Sequence, residues 1–165
     1  MGRNHTQGFT YLFVLILLAT LGAILAAAGT QWATIDQRTR EAALLRSGST
    51  LRTAIGAYYE SSPGTVKRYP PSLEALLRDE RYLAIRRYLR KIPDDPLSRQ
   101  SEWGLLAAPD GGVMGVYSRS DRTVFKTGNF SPLDASLAGG AAYSEWQFVY
   151  VPVTPPVPPD AHPQQ

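Results

Sequence analysis

The chain has 165 residues, with 17 Lys and Arg against 14 Asp and Glu, a formal net charge of +3 and no cysteine. That length suits one domain with appendages, and the small, dispersed charge argues against nucleic-acid binding. The absence of cysteine excludes disulfides, thiolate metal sites and cysteine nucleophiles. The two histidines, His5 and His162, stand far apart in the sequence, which leaves no histidine triad or histidine-rich zinc site to expect.

The apolar residues are concentrated early. Residues 9–28, FTYLFVLILLATLGAILAAA, contain no charge. At about 1.5 Å per residue they span about 30 Å as a helix, the thickness of a bilayer's hydrocarbon core. From Gln31 to Glu60 the pattern turns amphipathic. Leu44, Gly48, Leu51, Ile55 and Tyr58 recur in alternating steps of four and three, which places them on one helix face. Arg38, Arg40, Glu41, Arg46 and Arg52 fall on the remainder, and no proline interrupts before Pro63. The spacing predicts one helix over 9–60, its first half a membrane span (9–28) and its second half (29–60) packed by one face. Gly22, Gly29, Gly48 and Gly56 are expected to weaken it locally.

Ser61-Ser62-Pro63-Gly64 predicts the helix end. Ser72 reads as the N-cap of a short helix, SLEALLRD, and YLAIRRYLRK as a second one, stopped by Pro93 and Pro96. The pattern then alternates. Trp103–Ala107 and Val113–Tyr117 flank Pro109-Asp110-Gly111-Gly112, a hairpin with suitable turn residues. Thr123–Lys126 reads as a weak strand, and 146–151 as a stronger one with Trp146, Phe148 and Tyr150 on one face. Residues 127–145 read as a loop. Residues 152–165 hold six of the 13 prolines and are expected to be an extended, disordered tail outside a small globular domain over 61–151.

The polar stretch before the apolar run, MGRNHTQG, carries one Arg and no acid, and Gly8-Phe9-Thr10-Tyr11-Leu12 follows at once. This arrangement resembles the type IV prepilin signal. The resemblance implies that a membrane peptidase removes residues 1–8 by cutting between Gly8 and Phe9, and that the new Phe9 amine is N-methylated. Cleavage before the apolar run keeps the helix as an anchor, and glycine lets the backbone enter a tight protease site. Tyr69-Pro70-Pro71-Ser72-Leu73-Glu74-Ala75-Leu76 and Leu89-Arg90-Lys91-Ile92-Pro93-Asp94-Asp95-Pro96, followed by the hairpin, resemble the G-type major pseudopilin group of type II secretion.

The implied fold is α+β and pilin-like, a long N-terminal helix packed on a small antiparallel sheet. The implied partners are a prepilin peptidase and methylase, other pseudopilin subunits, and an inner-membrane assembly platform with its ATPase. The implied location is the bacterial inner membrane, single-pass, with the C-terminal domain periplasmic. Two departures stand out. Pilin-like proteins usually carry a glutamate at the fifth mature position, which here is Phe13. G-type domains often bind calcium through clustered acids; Asp110, Asp121 and Asp134 are scattered in this sequence, so no metal or cofactor is expected, calcium being the alternative.

Arg81, Arg86, Arg87, Arg90 and Lys91 form the densest positive cluster, read either as a solvated helix face or as a docking surface for an acidic partner or neighbouring subunit. The acid pairs Asp79-Glu80 and Asp94-Asp95 are expected to point apart and to be solvated, with Asp95-Pro96 forming a turn whose carboxylate accepts backbone N–H bonds. Trp32 is placed as an interfacial anchor, and Trp103 and Trp146 in the core. No nucleotide, hydrolase or metalloprotease motif occurs, so no enzyme is expected. The competing reading is cleavage by ordinary signal peptidase after Ala28, in Ala26-Ala27-Ala28-Gly29, releasing a soluble binding protein.

Overall fold

The computed structural model describes residues 5–98 and 102–152. Residues 1–4 and 153–165, with them the first half of the expected leader, most of the expected tail and His162, lie outside the described residues. Helix α1 spans His5–Glu60. It enters two compact units, Met1–Arg40 and Glu41–Gln165. The helix therefore starts at His5, four residues earlier than the sequence pattern suggests.

In the first unit, the window Phe9–Ala26 has a mean hydropathy of 2.4 and none of it is buried. The one hydroxyl in mid-window that water would otherwise solvate, Thr20 Oγ1, donates to the carbonyls of Ile16 and Leu17 at 2.9 Å. Further on, Arg40 pairs with Asp36 one turn earlier.

The second unit is α+β. Strands β1 (Trp103–Ala107), β2 (Val113–Ser118) and β3 (Gln147–Val149) form an antiparallel sheet in the order β1-β2-β3. The β1–β2 hairpin turns where expected. Gly111 takes φ 85°, a conformation open to glycine, and its N–H donates to Ala108 O at 3.0 Å. Asp110 completes the turn by accepting from Gly112 N and from Tyr69 N.

The predicted stripe of α1 is the core of this unit. Leu44, Leu51, Ile55 and Tyr58 are buried with Trp103, Val116, Trp146 and Phe148. Trp103 and Phe148 meet edge to face at 6.3 Å, and Tyr143 and Trp146 at 5.1 Å. Gly48 and Gly56 are where the rings of Phe148, in β3, and of Tyr150, just after it, reach the helix. A Cβ at Gly48 would stand 2.4 Å from the Phe148 ring, and one at Gly56 2.6 Å from the Tyr150 ring. Their role is close approach, which their low helix propensity alone does not reveal.

Several elements differ from the sequence pattern. SLEALLRD is reduced to a 3-10 turn, Glu74–Leu76, with Leu73 rather than Ser72 at the N-cap position and no side-chain cap. YLAIRRYLRK is not helical: Asp79 N–H bonds to Arg86 O, and the backbone between them makes a loop. Thr123–Lys126 makes only an isolated bridge, Thr123 to Ala142. β3 is three residues long, yet Trp146 and Phe148 are buried and Tyr150 half-buried, as the alternation requires. Within 127–145 lie two 3-10 turns, Pro132–Leu137 and Tyr143–Glu145.

Glu41 and Arg52, assigned by pattern to the solvated side, are buried. Glu41 Oε2 accepts from Phe125 N, Lys126 N and Tyr143 Oη at 2.6–3.1 Å. Arg52 donates to Leu133 O at 2.6 Å and pairs with Asp134 at 2.9 Å. Each charge ties an irregular segment to α1. Arg52→Ala removes the ion pair to Asp134, which keeps Ser131 Oγ as a donor, and the hydrogen bond to Leu133 O, and we expect it to cost about 2 kcal/mol in denaturant unfolding.

Candidate functional site

Two regions carry the residues singled out by sequence. The first is the N-terminal segment of α1. Gly8 lies within the helix, and Phe9 and Phe13 are 73% and 60% exposed. The whole run of Leu, Ile and Val that follows is exposed too. In water such a surface would be strongly unfavourable, at roughly 25 cal/mol for each Å² of apolar area. The segment is long and apolar enough to serve as a membrane span or a signal sequence. Trp32, beyond the window, is exposed, as an anchor at an interface would be.

The second region is the basic segment 81–91, and here the structure separates residues that the sequence grouped. Arg81 is a structural residue. Its guanidinium lies 3.6 Å from the Tyr58 ring centroid, and its Nε and Nη2 grip Asp79 at 2.9 and 2.8 Å. It also donates to Ser62 Oγ and to Tyr58 O, a carbonyl in the last turn of α1. The last turn of α1 has no basic residue of its own. Arg81 and Lys67, which donates to Glu60 O, bring positive charge to the negative end of the helix from outside it.

Asp79 is the centre of this network. Burial alone would push its carboxyl up, but hydrogen bonds from the Arg81 side chain and backbone and from the Tyr88 hydroxyl outweigh burial and hold it below the ordinary value. Burial raises Tyr88 and Tyr58. Tyr82 Oη donates to Ser61 O, so the loop is fastened to the helix end at several points. Arg86, Arg87, Arg90 and Lys91 are exposed, with Arg86 5.1 Å from the Tyr82 ring centroid.

Each acid pair splits, but against expectation one member of each is buried, where donors from the chain itself replace water. Asp79 is buried and Glu80 exposed; Asp95 is buried and Asp94 exposed. Asp95 accepts from Leu97 N at 2.9 Å, Ser118 Oγ at 2.7 Å and Arg119 N at 3.3 Å, locking the Asp95-Pro96 turn to β2. The acids considered for calcium are not assembled into a site: Asp110 serves the hairpin turn, Asp134 pairs with Arg52, and Asp121 is exposed. Among the described residues no three Asp, Glu or His side chains group as metal ligands.

Sequence reasoning missed the burial of Glu41 and Arg52, though a signal existed. Glu41 precedes Leu44 by three and so lies in phase with the apolar stripe, and Arg52 lies four from both Gly48 and Gly56. A charge in phase with a buried face marks a buried partner. No protein-family model, no curated protein and no solved structure matches the chain.

Proposed function

We propose that the chain is a pseudopilin-like structural subunit of a type II secretion or type IV pilus-type machine. Cleavage between Gly8 and Phe9 and N-methylation of Phe9 mature it. It then sits in the bacterial inner membrane by its N-terminal helix, with its α+β unit in the periplasm, and assembles with other pseudopilin subunits. The observation that carries this proposal is a helix with two chemistries in sequence: an exposed apolar run, Phe9–Ala26, then a face buried against a three-stranded sheet. The helix remains unbroken through Ala28-Gly29, the site at which ordinary signal peptidase would cut. Phe13 offers no carboxylate for a neighbour's N-terminal amine, so in this reading the register of assembly comes from other contacts. Moving an apolar helix from lipid into a helix bundle gains little by hydrophobicity, so packing governs assembly, and an external ATPase drives extraction.

The test is the N-terminal sequence and intact mass of the protein recovered from membranes. The expected product starts at Phe9 with one added methyl group. Gly8→Trp is expected to retain the leader, because the indole blocks entry to the peptidase. A product starting at Gly29 in the soluble fraction would overturn the proposal in favour of a secreted binding protein, and normal processing of Gly8→Trp would remove the prepilin assignment.

A further inference from the structure

The loop between Asp79 and Arg86 exposes what most loops hide. Leu83 is fully exposed and Ile85 is 66% exposed. Arg86 and Arg87 follow them directly, also exposed. The loop is nonetheless pinned: the Asp79–Arg86 backbone bridge closes its base, Arg81 and Tyr82 tie it to the end of α1, and Tyr88 N and Leu89 N both donate to Leu76 O. Two aliphatic side chains held out on an ordered loop have already met the entropic cost of binding, and gain by being covered.

Elsewhere on the same unit, a cavity of about 390 Å³ lies beside the edge strand β1. Its apolar walls include Ile92, Trp103 and Leu105, and Leu105 is half exposed on the sheet face that carries Trp103. Glu74, Asp94 and Glu102, all exposed, also line it. Arg119 is the one cation among the described lining residues, and Glu102 already engages it at 3.4 Å. The cavity is thus apolar with acid around it, and the loop apolar with base around it.

We propose that the Leu83–Arg87 loop of one copy docks in the β1-edge cavity of a second copy. Leu83 and Ile85 meet the Trp103–Leu105 wall, while Arg86 and Arg87 meet the carboxylates. The choice of a second copy rests on the assembling-subunit function proposed above and on the charge match between the two surfaces. Because loop and cavity differ, each contact leaves one of each free, and the contact propagates rather than closing after two copies.

The native chain has no cysteine, so introduced ones report unambiguously. Full-length chains carrying Leu83→Cys or Leu105→Cys, with different tags, are co-expressed in membranes and oxidised. Disulfide-linked heterodimers of the two variants are expected to exceed either homodimer, and a chain carrying both cysteines is expected to give a ladder. Arg86→Glu with Arg87→Glu in the Leu83→Cys chain is expected to lower heterodimer yield about tenfold or more, and Glu74→Lys with Glu102→Lys in the other chain to restore it. All four altered side chains are exposed, and circular dichroism checks that the fold persists.

Absence of the heterodimer, or a yield indifferent to charge reversal, overturns the proposal. So does a polarity-sensitive label at Leu83→Cys that responds to anionic vesicles while no heterodimer forms, which makes lipid the occupant. The mature N-terminus is read in the same sample. Heterodimers without a Phe9 start preserve the contact and remove the prepilin function; a Phe9 start without heterodimers does the reverse.

Discussion

Gly48→Ala is expected to destabilise the α+β unit, although alanine is the better helix former. The substitution gains about 1 kcal/mol of helix propensity. Against that, the new methyl would stand 2.4–2.6 Å from three atoms of the Phe148 ring. The ring is fully buried and meets Trp103 on another side, so it has little room to retreat. Overpacking of this kind costs about 3 kcal/mol, and the net loss is about 2 kcal/mol. In a unit of this size that corresponds to a fall in Tm of roughly 5–10 °C, followed by fluorescence of the buried Trp103 and Trp146. Gly22→Ala in the same helix is the control. Nothing lies within 4 Å of its added Cβ, so no loss is expected. Equal effects at both positions would mean that Gly48 acts through propensity and not through contact with β3.

Asp79→Ala is expected to be at least as damaging. It leaves the Arg81 guanidinium and the Tyr88 hydroxyl without their shared acceptor, and releases the Arg81 N–H that starts the loop. Breaking a largely buried pair by removing one partner costs about 3 kcal/mol here, with allowance for the exposed fifth of the Arg81 side chain. The loss spreads to the end of α1, because Arg81 is the group that reaches Tyr58 O.

The same carboxylate sets an acid limit. Its folded pKa is below the ordinary 3.8, so its stabilisation is complete above that value and is lost as pH falls through the folded value. Asp79→Asn is expected to keep the loop turn while removing this part of the acid transition. At the alkaline side the sign reverses. Burial, with the hydrogen bond to Glu60, pushes Tyr150 up to about 12. Its contribution is therefore complete below 10 and is lost as pH rises through about 12. A pH–stability profile from 2 to 12 with the Asn variant beside the native chain separates the two ends.

Some parts of the structure were legible because their causes are local. The alternating steps from Leu44 to Tyr58 needed only the helical period to mark a buried face. The hairpin needed only Asp110 and Gly111 between two alternating runs, and the Asp95-Pro96 turn only a short acid before a proline. The apolar run Phe9–Ala26 needed only its length. The segment 82–91 was misread for the same reason: Leu, Ala, Ile and Arg all favour helix, and the residues that overrule them are distant. Asp79 takes up the backbone at Arg86, and the carbonyls that Arg81 and Tyr82 seek are those of Tyr58 and Ser61. Tertiary hydrogen bonds outweigh propensities of a few tenths of a kcal/mol per residue.

The amino-acid sequence by itself therefore determined the long helix, its apolar first half, the stripe on its second half and the position of the hairpin. Only the tertiary structure decided which charges are buried and which glycines are contacts. Glu41 finds its partners 84–102 residues away, Arg52 finds Asp134 at 82, and Gly48 meets a ring 100 positions on. It also decided that Arg81 belongs to the helix end while Arg86 and Arg87 remain on the surface. Periodicity reports which way a side chain points relative to its own element. What lies opposite depends on how distant elements pack, and that packing determines whether a charge is solvated, paired or available to a partner.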